Sequence, residues 1–326
     1  MIIAVVAFVP LLIADIAVSH NAILPMETPT LRVFDPGVVW PADAGVDAIQ
    51  AAQFMADDPQ LVTDCRMSRW AVIHLSGTGM ETSHYAAGML DPVVRSLGGC
   101  SMYLWYGRRY DADAAARVIA EQVEQWAYPW WHKELVLAGA SFGGIAAEEI
   151  AASQILADAG IVVRGVIMES TPTDLSDVSD ASLATSLVKW AGTNFEIQDA
   201  PGDYVPVIMA NAMGQRQLGK YELRDFEDSW RNTVKTYPQL MWSQIAGIKR
   251  GMTQLRADVP VAYIFSDSDQ TVKVAQASGK VKQLFAEVTA VQTTAVPHAG
   301  CWLAESREQC WAAYGQALEV LAPLHR

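Results

Sequence analysis

The chain has 326 residues, 51% of them hydrophobic and 18% charged, which excludes wholesale disorder and allows one large α/β domain with insertions, or two domains. A formal net charge of -13 with no basic run argues against nucleic acid or an anionic membrane surface as a partner. The four cysteines, Cys65, Cys100, Cys301 and Cys310, include no C-x-x-C pair, which speaks against a zinc or thioredoxin-like site.

Residues 1–18 (MIIAVVAFVPLLIADIAV) are almost entirely apolar. The segment is long enough for the core of an export signal and marginal for a membrane span, but it lacks the basic start of a usual signal. Export signal, membrane anchor and buried first elements all fit it; export or anchoring is favoured, with 1–20 as that segment. Either would place the chain outside the cytoplasm, secreted or anchored to a membrane. Residues 21–68 read as a lead-in. The Pro-dotted stretch 24–41 is expected to be irregular, and 46–56 has helix-like composition that Asp57-Asp58-Pro59 ends.

Residues 69–75 (RWAVIHL) are expected as a strand, followed by the glycine-rich turn Ser76-Gly77-Thr78-Gly79. A second strand is expected over 100–106, then a helix over 111–126 capped by Asp111 or Asp113. Glu134–Ala140 (ELVLAGA) reads as a strand and 142–157 as a helix, with Gly143, Ala146, Ala147, Ile150 and Ala151 on one face. Residues 161–168 continue the alternation. From 174 to 258 the rhythm fails, and Trp190, Phe195, Tyr204, Trp230, Tyr237 and Trp242 are scattered among helical stretches. A helical insertion accounts for this better than a long structureless loop. Strand, helix, strand and helix then return over 259–265, 272–285, 288–296 and 305–321. Near-continuous apolar strands alternating with helices predict an α/β fold with a mostly parallel, doubly wound sheet. Its core would be 69–173 and 259–326, and 174–258 a helical lid or cap.

Gly139-Ala140-Ser141-Phe142-Gly143 reads G-x-S-x-G between the expected strand and helix. That context is the one a nucleophile elbow needs. A strand turning straight into a helix crowds its own backbone, so small residues flank the turn and the central side chain stands out at the sheet edge. A serine hydroxyl there needs a base, and the base needs an orienting acid. Of the six histidines, His20 lies in the leader, His325 at the terminus, His74 inside a strand and His132 at the opposite sheet end. His84 lies far along the glycine turn. His298 follows the last expected strand in the loop Pro297-His298-Ala299-Gly300 and is free to reach the serine. The acid should follow a strand at the same end. Asp269 is the first choice, Asp267 the second and Asp174 the third; an aspartate ahead of a helix is also an ordinary cap.

The order Ser141, Asp269, His298, with the elbow and a glycine turn after an earlier strand, resembles the α/β-hydrolase superfamily over residues 69–321. The resemblance implies Ser141 as nucleophile, His298 as general base and then acid, and Asp269 as the group that holds the imidazole. It implies an oxyanion hole from the backbone N–H groups of Phe142 and Thr78, and neither a metal nor a cofactor. Many members carry His-Gly in the first turn where this chain has Ser76-Gly77, but the donor is backbone and needs no particular side chain. The family places the strand that Cys100 opens beside the one that Cys65 precedes, so a Cys65–Cys100 bridge is expected. A Cys301–Cys310 bridge would hold the histidine loop, and four buried free thiols are the alternative.

The function expected on this resemblance is hydrolysis of a small-molecule carboxylic ester with an apolar group, through an acyl-enzyme. A peptidase, an amidase or an acyltransferase could use the same three residues. A binding protein on a catalytically dead hydrolase fold is the reading from a different class.

Overall fold

Successive residues of the central strands point into different cores. Ala71, Ile73, Leu135, Leu137, Val166 and Met168 join one buried cluster, while Val72, Val136, Ala138 and Ile167 join another. Strands covered on both faces need no polar side, which is why they read as continuous apolar runs. Each such Leu or Ile taken from water contributes about 1.5–3 kcal/mol.

The computed structural model describes residues 28–33, 65, 68, 70–78, 83–107, 109–126, 133–180, 185–186, 189, 192–193, 238–252, 259–302 and 306–321. Among these, the strands are β1 (Thr30–Val33), β2 (Trp70–Leu75), β3 (Gly99–Trp105), β4 (Glu134–Ala140), β5 (Val162–Glu169), β6 (Val261–Ser266) and β7 (Val288–Thr293). The helices are α1 (Ser83–Ser96), α2 (Ala112–Trp126), α3 (Phe142–Ala151), α4 (Gln154–Asp158), α5 (Pro238–Arg250), α6 (Val274–Leu284) and α7 (Arg307–Leu321).

The strands form one sheet in the order β1-β3-β2-β4-β5-β6-β7. All neighbours are parallel except β1, which runs antiparallel to β3 from Thr30 opposite Trp105 to Val33 opposite Met102. Helices α1 and α7 supply Leu90, Val94, Ala313, Ala317 and Leu318 to one core. Helices α2, α3, α5 and α6 supply Ile119, Ile145, Ile248 and Val281 to the other. The parallel strands end together at one rim, where open α/β sheets bind their ligands.

Three local expectations change. The lead-in is not wholly irregular, because Thr30–Val33 is a strand. Its four residues flanked by Pro29 carry too little pattern to read; the pairing edge of β3 makes the strand. Residues 83–96 form α1, whose Gly88 and internal Pro92 mask the pattern of Ala87, Leu90 and Val94, all buried. The helix expected over 142–157 breaks after Ala151, and Ser153 caps α4 by accepting from the Ile155 N–H at 3.4 Å. At α2 it is Asp111 that caps, accepting from the Ala114 N–H at 2.8 Å.

The N-terminal segment 1–20 and the expected helix 46–56 lie outside the described residues, as does most of the expected lid. Near the end of that stretch, α5 packs on α3 and buries Leu240 and Ile248 in the core. No helix among the described residues is long and apolar enough to cross a membrane. Both expected disulfides are present, Cys65–Cys100 and Cys301–Cys310. They are compatible with an extracellular protein.

Candidate active site

Ser141 follows β4 directly and sits at φ 54°, ψ -123°, a left-handed strained backbone for a residue with a side chain. The strain is held by packing. A Cβ on Gly139 would collide with the Gly143 carbonyl, and one on Gly143 with the Leu75 and Ser76 carbonyls. Both positions therefore require glycine for close approach of backbones. The Ser141 N–H donates to the Glu169 carbonyl at 2.8 Å, and the Ser141 hydroxyl makes no capping bond to α3. The serine is half-buried, and its hydroxyl is not consumed as a cap.

Phe142 is the first residue of α3, so the helix ladder leaves its N–H unused. Its ring is wholly buried and meets Tyr110 edge-on at 4.9 Å and Tyr106 at 6.0 Å. This aromatic packing fixes where the peptide begins the helix. The Ser76-Gly77-Thr78 turn lies against the elbow: a Cβ on Gly77 would stand 3.1 Å from the Ser141 Cβ. Two side chains pin that turn. The Tyr106 hydroxyl donates to the Ser76 carbonyl at 3.0 Å, and the Gln244 amide donates to the Gly77 carbonyl at 3.2 Å. A trans peptide is planar with its C=O and N–H opposed. Holding the Gly77 carbonyl therefore aims the Thr78 N–H the other way.

Asp269 follows β6 and His298 follows β7. The structure brings them together, with His298 Nδ1 2.8 Å from Asp269 Oδ2. The other carboxylate oxygen, Oδ1, accepts from the N–H groups of Thr271 at 2.8 Å and Val272 at 2.9 Å. Burial works to raise the Asp269 carboxyl, but His298 and those two N–H groups outweigh it and hold it below the usual carboxylate range. An ionised carboxylate can only accept, so His298 Nδ1 carries a proton, and in the neutral ring Nε2 holds the lone pair. Burial pulls the imidazole down, yet Asp269 and then Glu169 outweigh it and raise it above the ordinary histidine value. The Asp269 side chain is fully buried and that of His298 is 18% exposed, so one end of the ring reaches solvent.

The other acid candidates are engaged elsewhere. Asp267 is exposed, and its carboxylate accepts from the Ser268 hydroxyl at 3.4 Å. Asp174 accepts from the Ser176 N–H at 2.7 Å and pairs with Lys280 at 2.8 Å. His74 is buried inside β2, where burial pushes its imidazole down to about 3 and keeps it neutral. His84 falls in the first turn of α1 rather than in the glycine turn, and His20, His132 and His325 lie outside the described residues. Among the described residues no hydrogen bond joins Ser141 to His298. Such bonds often tighten only when substrate is bound.

Sequence reasoning missed Tyr106, Gln244 and Glu169. The first two act through main-chain carbonyls and the third across a strand edge, so spacing along the chain carries no trace of any of them.

The chain has the α/β-hydrolase fold. It is similar to a carboxylesterase structure from the thaumarchaeon Nitrososphaera gargenis, with 11% identity over 78% of this chain and 91% of the other and a TM-score of 0.52. It is similar to a lipase-esterase related protein from Clostridium acetobutylicum, with 12% identity, 78% and 96% covered and a TM-score of 0.51. MenH from S. aureus matches at 13% identity, 77% and 94% covered, with a TM-score of 0.51. At these identities the likeness is one of fold. No family model matches the sequence, and no curated protein matches it.

Proposed function

We propose that this protein is a serine hydrolase that cleaves a small carboxylic ester with an apolar group. Ser141 is the nucleophile, His298 the general base and then acid, and Asp269 the residue that orients the imidazole. The observation that carries the reading is the pairing of His298 Nδ1 with Asp269 Oδ2 at 2.8 Å, beside the sheet end where Ser141 is held in a strained turn. A neutral imidazole with its lone pair on Nε2 can take the serine proton, and the adjacent carboxylate then stabilises the imidazolium. Ser141 Oγ attacks the ester carbonyl carbon, and the oxyanion forms against the Phe142 and Thr78 N–H groups. The alkoxide leaves with the proton that His298 had taken. Water, deprotonated by His298, then attacks the acyl-enzyme and returns the serine. Residues 174–258 would act as the lid over the apolar group, and 1–20 as an export signal or anchor, in keeping with two disulfides.

The test is labelling with a fluorophosphonate probe followed by peptide mapping, then hydrolysis of a chain-length series of nitrophenyl esters beside matched anilides. An adduct on Ser141 with ester turnover is expected. No adduct on the folded protein would point to a binding protein on this fold, and faster anilide cleavage to an amidase.

A further inference from the structure

We propose that Glu169 is a positioning residue for His298, clamping the histidine loop to the end of β5 and placing a second negative charge behind the imidazole. The proposal rests on His298 being the general base.

Glu169 ends β5, between the strand that carries Ser141 and the strand that precedes Asp269. Its main-chain carbonyl accepts the Ser141 N–H at 2.8 Å. Its side chain turns to the other half of the site. Oε1 accepts from the Cys301 N–H at 3.1 Å, and Oε2 accepts from the Tyr314 hydroxyl at 2.9 Å. Cys301 stands three residues beyond His298 and is bridged to Cys310 on α7, one turn before Tyr314. Glu169 thus ties the elbow through its main chain, and its buried carboxylate ties the histidine loop to the last helix.

The loop needs such an anchor. Ala295 and Ala299 flank His298 at φ 56° and 49°, both in the left-handed region that disfavours a side chain. A turn with two strained residues keeps its shape only if its surroundings hold it. The Thr294 N–H donates to Gln309 Oε1 at 3.0 Å at one end, and the Cys301 N–H donates to Glu169 at the other.

The choice of a carboxylate also has a consequence. Glu169 is 4% exposed, and an apolar or amide side chain would be cheaper to bury. Burial raises the carboxyl above its ordinary value, and the Cys301 N–H and the Tyr314 hydroxyl, one on each oxygen, work against that rise by stabilising the ionised form. The charged or titratable groups facing it are Tyr314 from α7, His298 from the loop after β7 and Asp269 from the loop after β6. Those facing His298 are Asp269 and Glu169. With two carboxylates behind it the imidazolium is favoured, so His298 becomes a stronger base.

The experiment is an NMR titration of the His298 ring nitrogens in the full-length protein and in Glu169→Gln, Glu169→Ala and Tyr314→Phe, with kcat and KM measured on a nitrophenyl ester. Glutamine can accept from the Cys301 N–H and donate to the Tyr314 oxygen, so Glu169→Gln keeps the clamp and removes the charge. It should move the His298 titration to lower pH and keep kcat within roughly 10-fold of the parent. Glu169→Ala should lower kcat by roughly 10- to 100-fold with KM nearly unchanged. A His298 titration in Glu169→Gln at the parent pH would overturn the proposal, even if Glu169→Ala fails to fold. So would a parent-like kcat in folded Glu169→Ala. The titration needs no substrate. If the parent hydrolyses no ester and takes no fluorophosphonate, the hydrolase reading fails separately, and the shift still decides whether Glu169 sets the imidazole.

Discussion

Glu148 and Glu169 are both buried carboxylic acids, one on the helix that follows Ser141 and the other at the end of the neighbouring strand. Glu148 has no hydrogen-bond partner on either oxygen among the described residues and lies beside a small apolar cavity lined by Ala151, Val166, Val261 and Phe285. Burial, with Glu149 adding to it, pushes its carboxyl up to about 9. Burial also raises Glu169 above its ordinary value, with the Cys301 N–H, the Tyr314 hydroxyl and His298 working against the rise. One acid is kept neutral by an apolar site and the other is surrounded by donors that accommodate a charge. Equal burial therefore means different things: the rim of the sheet is organised around charge, and the Glu148 side around its exclusion. Substitutions at the rim should move turnover and spare stability, and substitutions at Glu148 should do the reverse.

The largest effect is expected at the rim. Ser141→Ala or His298→Ala should lower kcat by about 10⁴-fold or more, and Asp269→Asn by about 10⁴-fold, with Tm changed by no more than about 2 °C. A large loss of Tm in any of the three, measured by calorimetry, would break the contrast between the two regions. Parent activity follows the same logic with pH. The raised His298 must lose its proton to act, so kcat/KM should rise with pH through a value above the ordinary histidine value of 6.5. Asp269 titrates lower and stays ionised throughout that range.

Next comes the turn that Gln244 holds. Gln244→Ala frees the Gly77 carbonyl and with it the direction of the Thr78 N–H. Full loss of an oxyanion donor typically lowers kcat by about 10²–10³-fold. Misaiming one should cost roughly 10- to 100-fold in kcat with little change in KM, read from steady-state kinetics. An unchanged kcat would remove Thr78 from the oxyanion hole.

The Cys301–Cys310 bridge belongs to both regions, since it joins the histidine loop to a core helix. Replacing both cysteines by alanine should destabilise the protein by about 2–3 kcal/mol in urea unfolding. Turnover should fall as well, because the loop that carries His298 loses one of its ties. Destabilisation with parent kcat would assign the bridge to the core alone.

The smallest effect is expected at Glu148. Its folded value, about 9, lies above the ordinary 4.5, so the unfolded chain is ionised at neutral pH while the folded one is not. Its contribution to stability is therefore fully present below the ordinary value and is lost as pH rises towards about 9. Glu148→Gln should raise Tm at pH 8, by about 2–4 °C for each kcal/mol gained, and flatten the fall of Tm with pH. Activity should not change. A Tm at pH 8 equal to the parent's would mean that Glu148 finds a partner, and the contrast with Glu169 would vanish.

Much of the fold was legible because its signals are local. Glu134–Ala140 is a strand as its apolar run predicts, and the core strands on either side shift by no more than a few residues at their ends. The elbow was legible for the same reason: Gly139 and Gly143 answer a steric demand made by atoms a few residues away as well as by β2. Where partners come from far off, reading fails. β1 exists because β3 offers an edge, and α1 hides behind Gly88 and Pro92, whose effect tertiary burial overrides. The break at Ser153 is a local competition that propensity alone does not settle. At the site, the pairing of His298 with Asp269 could be anticipated from the strand order, but the two hydrogen bonds donated to Glu169 could not.

Covalent order and side-chain chemistry determined that apolar strands would be covered on both faces, that a serine would stand in a glycine-flanked turn, and that an acid and a histidine would follow later strands. These follow from periodicity and sterics, which act over a few residues. The tertiary structure alone decided which amide holds the Gly77 carbonyl, and which buried carboxylate receives donors and which is left without them. Those outcomes depend on contacts between segments more than a hundred residues apart, 167 for Gln244 and Gly77 and 132 for Glu169 and Cys301, and electrostatics and hydrogen bonding act through space rather than along the chain.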